Sequence, residues 1–224
     1  MKPALLPLFV GVSLLTFQSA NATIAVTEFF ANPSALADVA GEFVEIYNSG
    51  PTSVDLSGWI LKDGAATPNT VPLSGTLGVG QLFVVALSND LAVFKTHYGV
   101  TALQEPFLID GGSGSFLNNT GAESIVLNDG TSDIWSFVYS GGVANGASAY
   151  LDHSYDLSLG APGSVTLTAV GDYINQGVAN EPGMRDFSGD LASPFAWAGH
   201  SVPEPSTGLL VILAGALIGS RRRR

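Results

Sequence analysis

At 224 residues the chain has room for one sandwich-sized domain with appendages, or at most two small domains. Cysteine is absent, which excludes disulfides, cysteine zinc sites and a thiol nucleophile. The net charge of -11 is unevenly spread: between Thr23 and Val202 only Lys62, Lys95 and Arg185 stand against 18 of the 19 acids, so the body carries about -15 and nucleic acid is not an expected partner.

In chain order, Met1–Ala22 has the features of an export signal. Lys2 opens it, Leu5–Phe17 is apolar, and Ala20-Asn21-Ala22 supplies the small-x-small pattern with cleavage after Ala22. Thr23–Ala31 is expected as the first strand, with Ile24, Val26 and Glu28 on one side, and Asn32-Pro33 turns it. Glu42–Tyr47 alternates: Val44 and Ile46 share one face, Phe43, Glu45 and Tyr47 the other. Asn48-Ser49-Gly50-Pro51 breaks that strand. Val54 and Leu56 resume an extended run, Gly58 interrupts it as a bulge or close approach, and Trp59-Ile60-Leu61 is a bulky strand. Val71–Leu73 is a short strand, and Gln81–Leu87, nearly all apolar, reads as a central strand buried on both faces.

Ser88-Asn89-Asp90 is a helix-start cluster. Leu91, Phe94, Lys95 and Tyr98 follow at helical spacing until Gly99, which predicts a short helix capping the sandwich. His97 on that helix has no partner at metal-site spacing and is expected at the rim. Asp110–Ser115 is glycine-rich but lacks the Gly-Lys-Ser/Thr ending of a phosphate loop. Glu123–Leu127 and Ile134–Tyr139 form a hairpin through Asp129-Gly130. Asp129 and Asp133 in its turn are the candidates for a calcium site. A hard cation wants six or more oxygens, however, and the regular Asp-x-Asp-x-Asp-Gly spacing is missing, so ordinary turn chemistry is the expected role. Ala147–Leu151 and Val165–Val170 are further strands, Asn175–Ala192 reads as loop, and Trp197 is expected to pack on the sandwich.

One block carries a resemblance. Glu-Ile-Tyr-Asn at 45–48, followed by Val-Asp-Leu-Ser-Gly-Trp at 54–59, resembles the core motif of the lamin tail domain. Ile24–Asn32, Phe94–Gly99 and Leu117–Tyr139 resemble further pieces of that family, in the same order. The resemblance implies an all-β fold, an immunoglobulin-like antiparallel β-sandwich with one short helix, to which the sequence adds an N-terminal signal peptide and a C-terminal membrane helix. The expected division is a signal over 1–22, a sandwich over 23–150, an extension over 151–201 and a sorting segment over 202–224. The predicted core comprises Val44, Ile46, Leu56, Trp59, Leu61, Phe83, Val85, Ile125, Leu127 and Phe137.

The C-terminus is the most specific functional stretch. Pro203-Glu204-Pro205 is followed by the apolar Gly208–Gly219 and then by Arg221, Arg222, Arg223 and Arg224. This resembles the PEP-CTERM sorting signal, which implies recognition by an exosortase, a transpeptidase-like membrane enzyme of Gram-negative bacteria that make extracellular polysaccharide. The arginines would stay on the cytoplasmic side and the body would face outward. A helix over 207–220 would span about 21 Å, short of the ~30 Å hydrocarbon core, as suits thinning or transient retention.

Two function classes follow. One is a non-enzymatic envelope or matrix module without a cofactor, whose partners are an exosortase, the membrane and extracellular polysaccharide. The other is a carbohydrate-active hydrolase working through two carboxylates, or a calcium-dependent polysaccharide binder. No Gly-x-Ser-x-Gly or zinc motif is present, and the module is the expected class.

Overall fold

The structure, a computed structural model, describes residues 24–197 except 66, 113–115, 141–142, 168–171 and 177–183. The expected signal over 1–22, the sorting motif and the apolar run behind it lie outside the described residues.

The strands are Ile24–Phe30 (β1), Phe43–Asn48 (β2), Val54–Asp55 (β3), Ile60–Asp63 (β4), Thr70–Pro72 (β5), Thr76–Leu77 (β6), Leu82–Ala86 (β7), Leu108–Asp110 (β8), Glu123–Asn128 (β9), Asp133–Ser140 (β10), Ala149–Leu151 (β11), Gly163–Thr166 (β12), Tyr173–Asn175 (β13), Arg185–Phe187 (β14) and Asp190–Ala192 (β15). Two short α-helices, Asp38–Gly41 (α1) and Leu91–His97 (α2), and two single 3-10 turns complete the fold.

A six-stranded sheet in the order β13-β11-β1-β2-β7-β8 faces a five-stranded sheet in the order β12-β10-β9-β4-β5. Most neighbours are antiparallel, as expected. Two edge pairs are not: β8 runs parallel to β7 and β12 parallel to β10, because each enters from a long connection rather than a hairpin. Strands from beyond residue 150 therefore complete both sheets.

The core between the sheets contains nine of the ten predicted side chains, among them Val44, Ile46, Leu61, Phe83, Leu127 and Phe137. Trp59 is the exception. It sits after the Ser57-Gly58 turn, where Gly58 takes a φ of +86° rather than bulging a strand, and its ring is only partly covered. The sheets meet through aromatic contacts: Phe29 lies 5.8 Å from Phe137, and Phe137 stacks on Tyr173 at 4.4 Å.

β1 departs from simple alternation. Val26 pairs with Ile46 but Glu28 pairs with Glu45, so Thr27 is an extra residue and the strand changes face there. Glu28 thus lies on the face opposite Val26, beside Glu45, and not with Ile24 and Val26 as alternation predicts. That outer face is itself buried. Phe30, Phe43, Val84 and Ala86 are covered by Phe94 of α2, by Tyr98 just after it, and by Phe187 and Ala192 from the β14–β15 hairpin. Each buried Phe or Val among them contributes roughly 1.5–3 kcal/mol of burial.

α2 forms where the sequence places it. The Asp90 carboxylate accepts from the amides of Ala92 and Val93 at 3.1 and 3.0 Å, and Gly99 leaves the helix at a φ of +61°. It lies on the outer sheet face rather than across the end of the sandwich. The segment expected as loop, Asn175–Ala192, ends in the β14–β15 hairpin and is part of this cover.

Candidate functional site

Three carboxylates converge at one end of the sandwich around an open hollow of about 420 Å³. Asp38 comes from α1, Asp63 from the end of β4 and Glu123 from the start of β9, which pairs with β4. Each is tied into local structure. Asp63 Oδ1 accepts from the amides of Ala65 and Asn69, both at 3.1 Å, and Asn69 Nδ2 donates to its Oδ2 at 2.7 Å. Glu123 Oε1 accepts from the amides of Gly64 and Ser124 at 3.1 and 2.9 Å. Asn119 Nδ2 donates to Asp38 Oδ2 at 2.7 Å. The Tyr139 hydroxyl braces the same wall, accepting from the amide of Asn118 and donating to its carbonyl. Burial raises the Tyr139 pKa.

Behind this wall lies Glu42, fully buried. Its Oε2 accepts from the amides of Phe116 and Leu117 at 2.8 and 3.0 Å, while Oε1 has no hydrogen-bond partner among the described residues. Burial pushes the Glu42 pKa up to about 8; the two amides oppose the shift and the nearby Asp38 charge adds to it. At neutral pH the group is mostly a neutral carboxylic acid. Asn119 Oδ1 is a second buried acceptor without a described partner. Glu42, behind the wall of the hollow, is sealed from solvent and cannot touch a substrate in this structure.

On the outer face, His97 is not a rim residue. Its side chain is only 10% exposed, and Nε2 lies 3.0 Å from Asp190 Oδ2. The other Asp190 oxygen accepts from the amide and hydroxyl of Ser34 and from the amide of Ala35. The pair resembles part of a catalytic triad, yet the adjacent Thr96 directs its hydroxyl to the carbonyl of Ala92 at 2.8 Å, as an ordinary helical threonine does.

The calcium candidates serve the β9–β10 turn. The amides of Ser132 and Thr131 hold Asp129 below the usual carboxylate range. Asn128 and Lys62 do the same for Asp133, and the Lys62 ammonium is 2.9 Å from it, where a cation would otherwise sit. Among the described residues no group of three or more acidic or histidine side chains is placed to hold a metal. Ala20, Ala22, Pro203, Glu204, Pro205 and Arg221–Arg224 lie outside the described residues.

Sequence reasoning missed the way the C-terminal arm is held. The Ser193 amide and hydroxyl donate to Glu28 at 2.9 and 3.0 Å, and the Phe195 amide donates to Glu45 at 2.6 Å. Ser148 also donates to Glu28, and Thr27 to Glu45 at 2.7 Å. Trp197 Nε1 donates to the Leu151 carbonyl at 3.0 Å, and its ring lies 4.9 Å from Tyr47. The signal was present: Glu28 and Glu45 are acids inside otherwise apolar strands, which stay buried only if donors reach them.

Fold and arm together define a β-sandwich whose C-terminal arm is fastened to the body a few residues before a sorting signal. The chain belongs to the lamin tail domain family, whose model matches residues 18–141. The PEP-CTERM protein-sorting motif matches residues 201–224. No curated protein matches the chain. The two matches mark an exosortase-sorted surface protein, exported and sorted in Gram-negative bacteria. Among the described residues no helix is long and apolar enough to cross a membrane.

Proposed function

We propose that the chain is a non-enzymatic envelope or matrix module. It is exported through the signal over 1–22, held at the inner membrane by the apolar run after residue 206, and freed for the cell surface by exosortase cleavage near Pro203-Glu204-Pro205. Extracellular polysaccharide is its proposed partner there. The observation that carries the reading is the sorting motif at 201–224 behind a docked sandwich. The two prolines of the motif each lack an amide donor and have a fixed φ, which makes it a poor sequence for a helix.

The non-enzymatic part is supported by the acids themselves. Those in the hollow are engaged by protein donors, Asp63 by the amides of Ala65 and Asn69, Glu123 by those of Gly64 and Ser124 and Asp38 by the Asn119 side chain, and Glu42 is sealed off. In cells carrying the matching exosortase, replacing Pro203, Glu204 and Pro205 with alanine leaves full-length protein in the membrane. Mass spectrometry of the surface form decides: intact protein still ending in four arginines rules out processing. Hydrolysis of a neutral polysaccharide by the purified chain would overturn the non-enzymatic reading.

A further inference from the structure

A second hollow, of about 280 Å³, opens where three distant segments meet. Leu82 opens β7 and Gln81 precedes it, Leu103, Gln104 and Phe107 come from the turn before β8, and Phe195 from the C-terminal arm. None of its lining groups is charged, although the body carries about -15. Drug-sized pockets run from about 300 to 1,000 Å³, so this one has room for a single small ring.

Its apolar walls are fixed from behind. Phe107 packs on the core through Phe83, with ring centroids 5.6 Å apart. Phe195 packs on the outer-face cluster and stays partly open to the hollow. Its φ is +65°, a conformation glycine adopts freely and phenylalanine rarely, and the buried Glu45 carboxylate holds it by accepting its amide. A bulky ring in a glycine's conformation marks the ring itself as the thing placed. Leu103, on the rim, is 85% exposed.

The polar groups are aimed by the backbone. Gln81 Oε1 accepts from the Gly78 amide at 2.8 Å, and Gln104 Oε1 accepts from the Thr101 amide and hydroxyl at 2.9 and 3.0 Å. Those donors fix which end of each amide is oxygen. Both Nε2 groups are left as N–H donors with no acceptor among the described residues.

From this lining we infer that the hollow is a subsite for a neutral hexopyranose residue of a polysaccharide. The C–H face of the ring lies on Phe107 and Phe195, and its hydroxyls accept from the Gln81 and Gln104 amides. An anionic sugar is disfavoured, because the hollow offers no cation and the body's field repels it. The inference rests on the surface-module reading only for where such a polymer is met. Sugar binding is measured on the purified chain and sorting in cells, so either can fail alone.

The test is saturation-transfer NMR and titration of the full chain, in a sugar-free detergent, with maltotetraose, cellotetraose, mannotetraose and a tetragalacturonate. At least one neutral tetrasaccharide binds, with saturation strongest at ring C–H protons, and tetragalacturonate does not. Gln81→Glu with Gln104→Glu keeps the oxygens that accept backbone amides, so the fold survives, but removes the donors and weakens binding by about tenfold or more. Phe195→Ala does the same through loss of the ring. Failure of all three neutral sugars to bind the folded chain overturns the inference. So does equal binding of tetragalacturonate, or unchanged affinity in Phe195→Ala, which would place the sugar elsewhere.

Discussion

Glu42 makes stability depend on pH in a direction opposite to that of an ordinary carboxylate. Burial holds its pKa at about 8 instead of the usual 4.5, so the folded chain binds this proton more tightly than the unfolded chain does. The contribution is fully present below about pH 4.5, declines as pH rises, and is gone above about pH 8. One pKa step is worth about 1.4 kcal/mol, so the whole span is at most about 5 kcal/mol. Glu42→Gln removes the titration but keeps an oxygen to accept from Phe116 and Leu117. The variant is expected within about 1 kcal/mol of the parent at pH 5, and more stable than the parent by several kcal/mol at pH 9. Urea unfolding followed by tryptophan fluorescence between pH 5 and 9 measures the difference, in which the other titrating groups cancel. Parallel stability curves would refute the reasoning, since they would show Glu42 ionised in the folded chain at neutral pH.

Two more outcomes are expected. Asp190→Ala removes the two oxygens that serve Ser34, Ala35 and His97 together, and should destabilise the chain by roughly 3 kcal/mol; hydrogen exchange should quicken first at the Ser193 and Phe195 amides, and a uniform quickening would mean the arm is not a separate unit. The purified chain should not bind duplex DNA at physiological salt; micromolar binding that weakens as salt rises would contradict the charge argument.

What could be read from the sequence was whatever depends on neighbours in the chain. Asp90 and Gly99 bracket α2 because capping acts over two or three residues. Gln81–Leu87 was legible as a central strand because burial on both faces leaves a continuous apolar run. Asn175–Ala192 failed for the opposite reason. β13, β14 and β15 have three residues each, and the arm they lead into is held by Glu28 and Glu45, about 150 residues away. The Thr27 bulge was equally silent, as an inserted residue changes no composition. At the candidate site the individual acids were visible, but Glu42 is indistinguishable from an exposed glutamate until Phe116 and Leu117 close over it.

The fastening at Trp197 sets a leash length. Only residues 198–202 separate it from Pro203, and five residues reach at most about 18 Å when fully extended. On the proposed route, a folded sandwich waiting at the membrane is therefore kept close to the lipid, with the Trp197 and Tyr47 end turned towards it. On that route the sorting enzyme would cut within the narrow gap, reaching it in the plane of the bilayer, and soluble proteases larger than the gap would be shut out. Pulling the body away lengthens the leash only by tearing Trp197 from Leu151 first, and then Phe195 and Ser193 from Glu45 and Glu28. An insertion of ten glycine-serine residues after Trp197 would more than double the reach and expose the site to outside proteolysis, which makes the short leash a guard on which enzyme makes the cut.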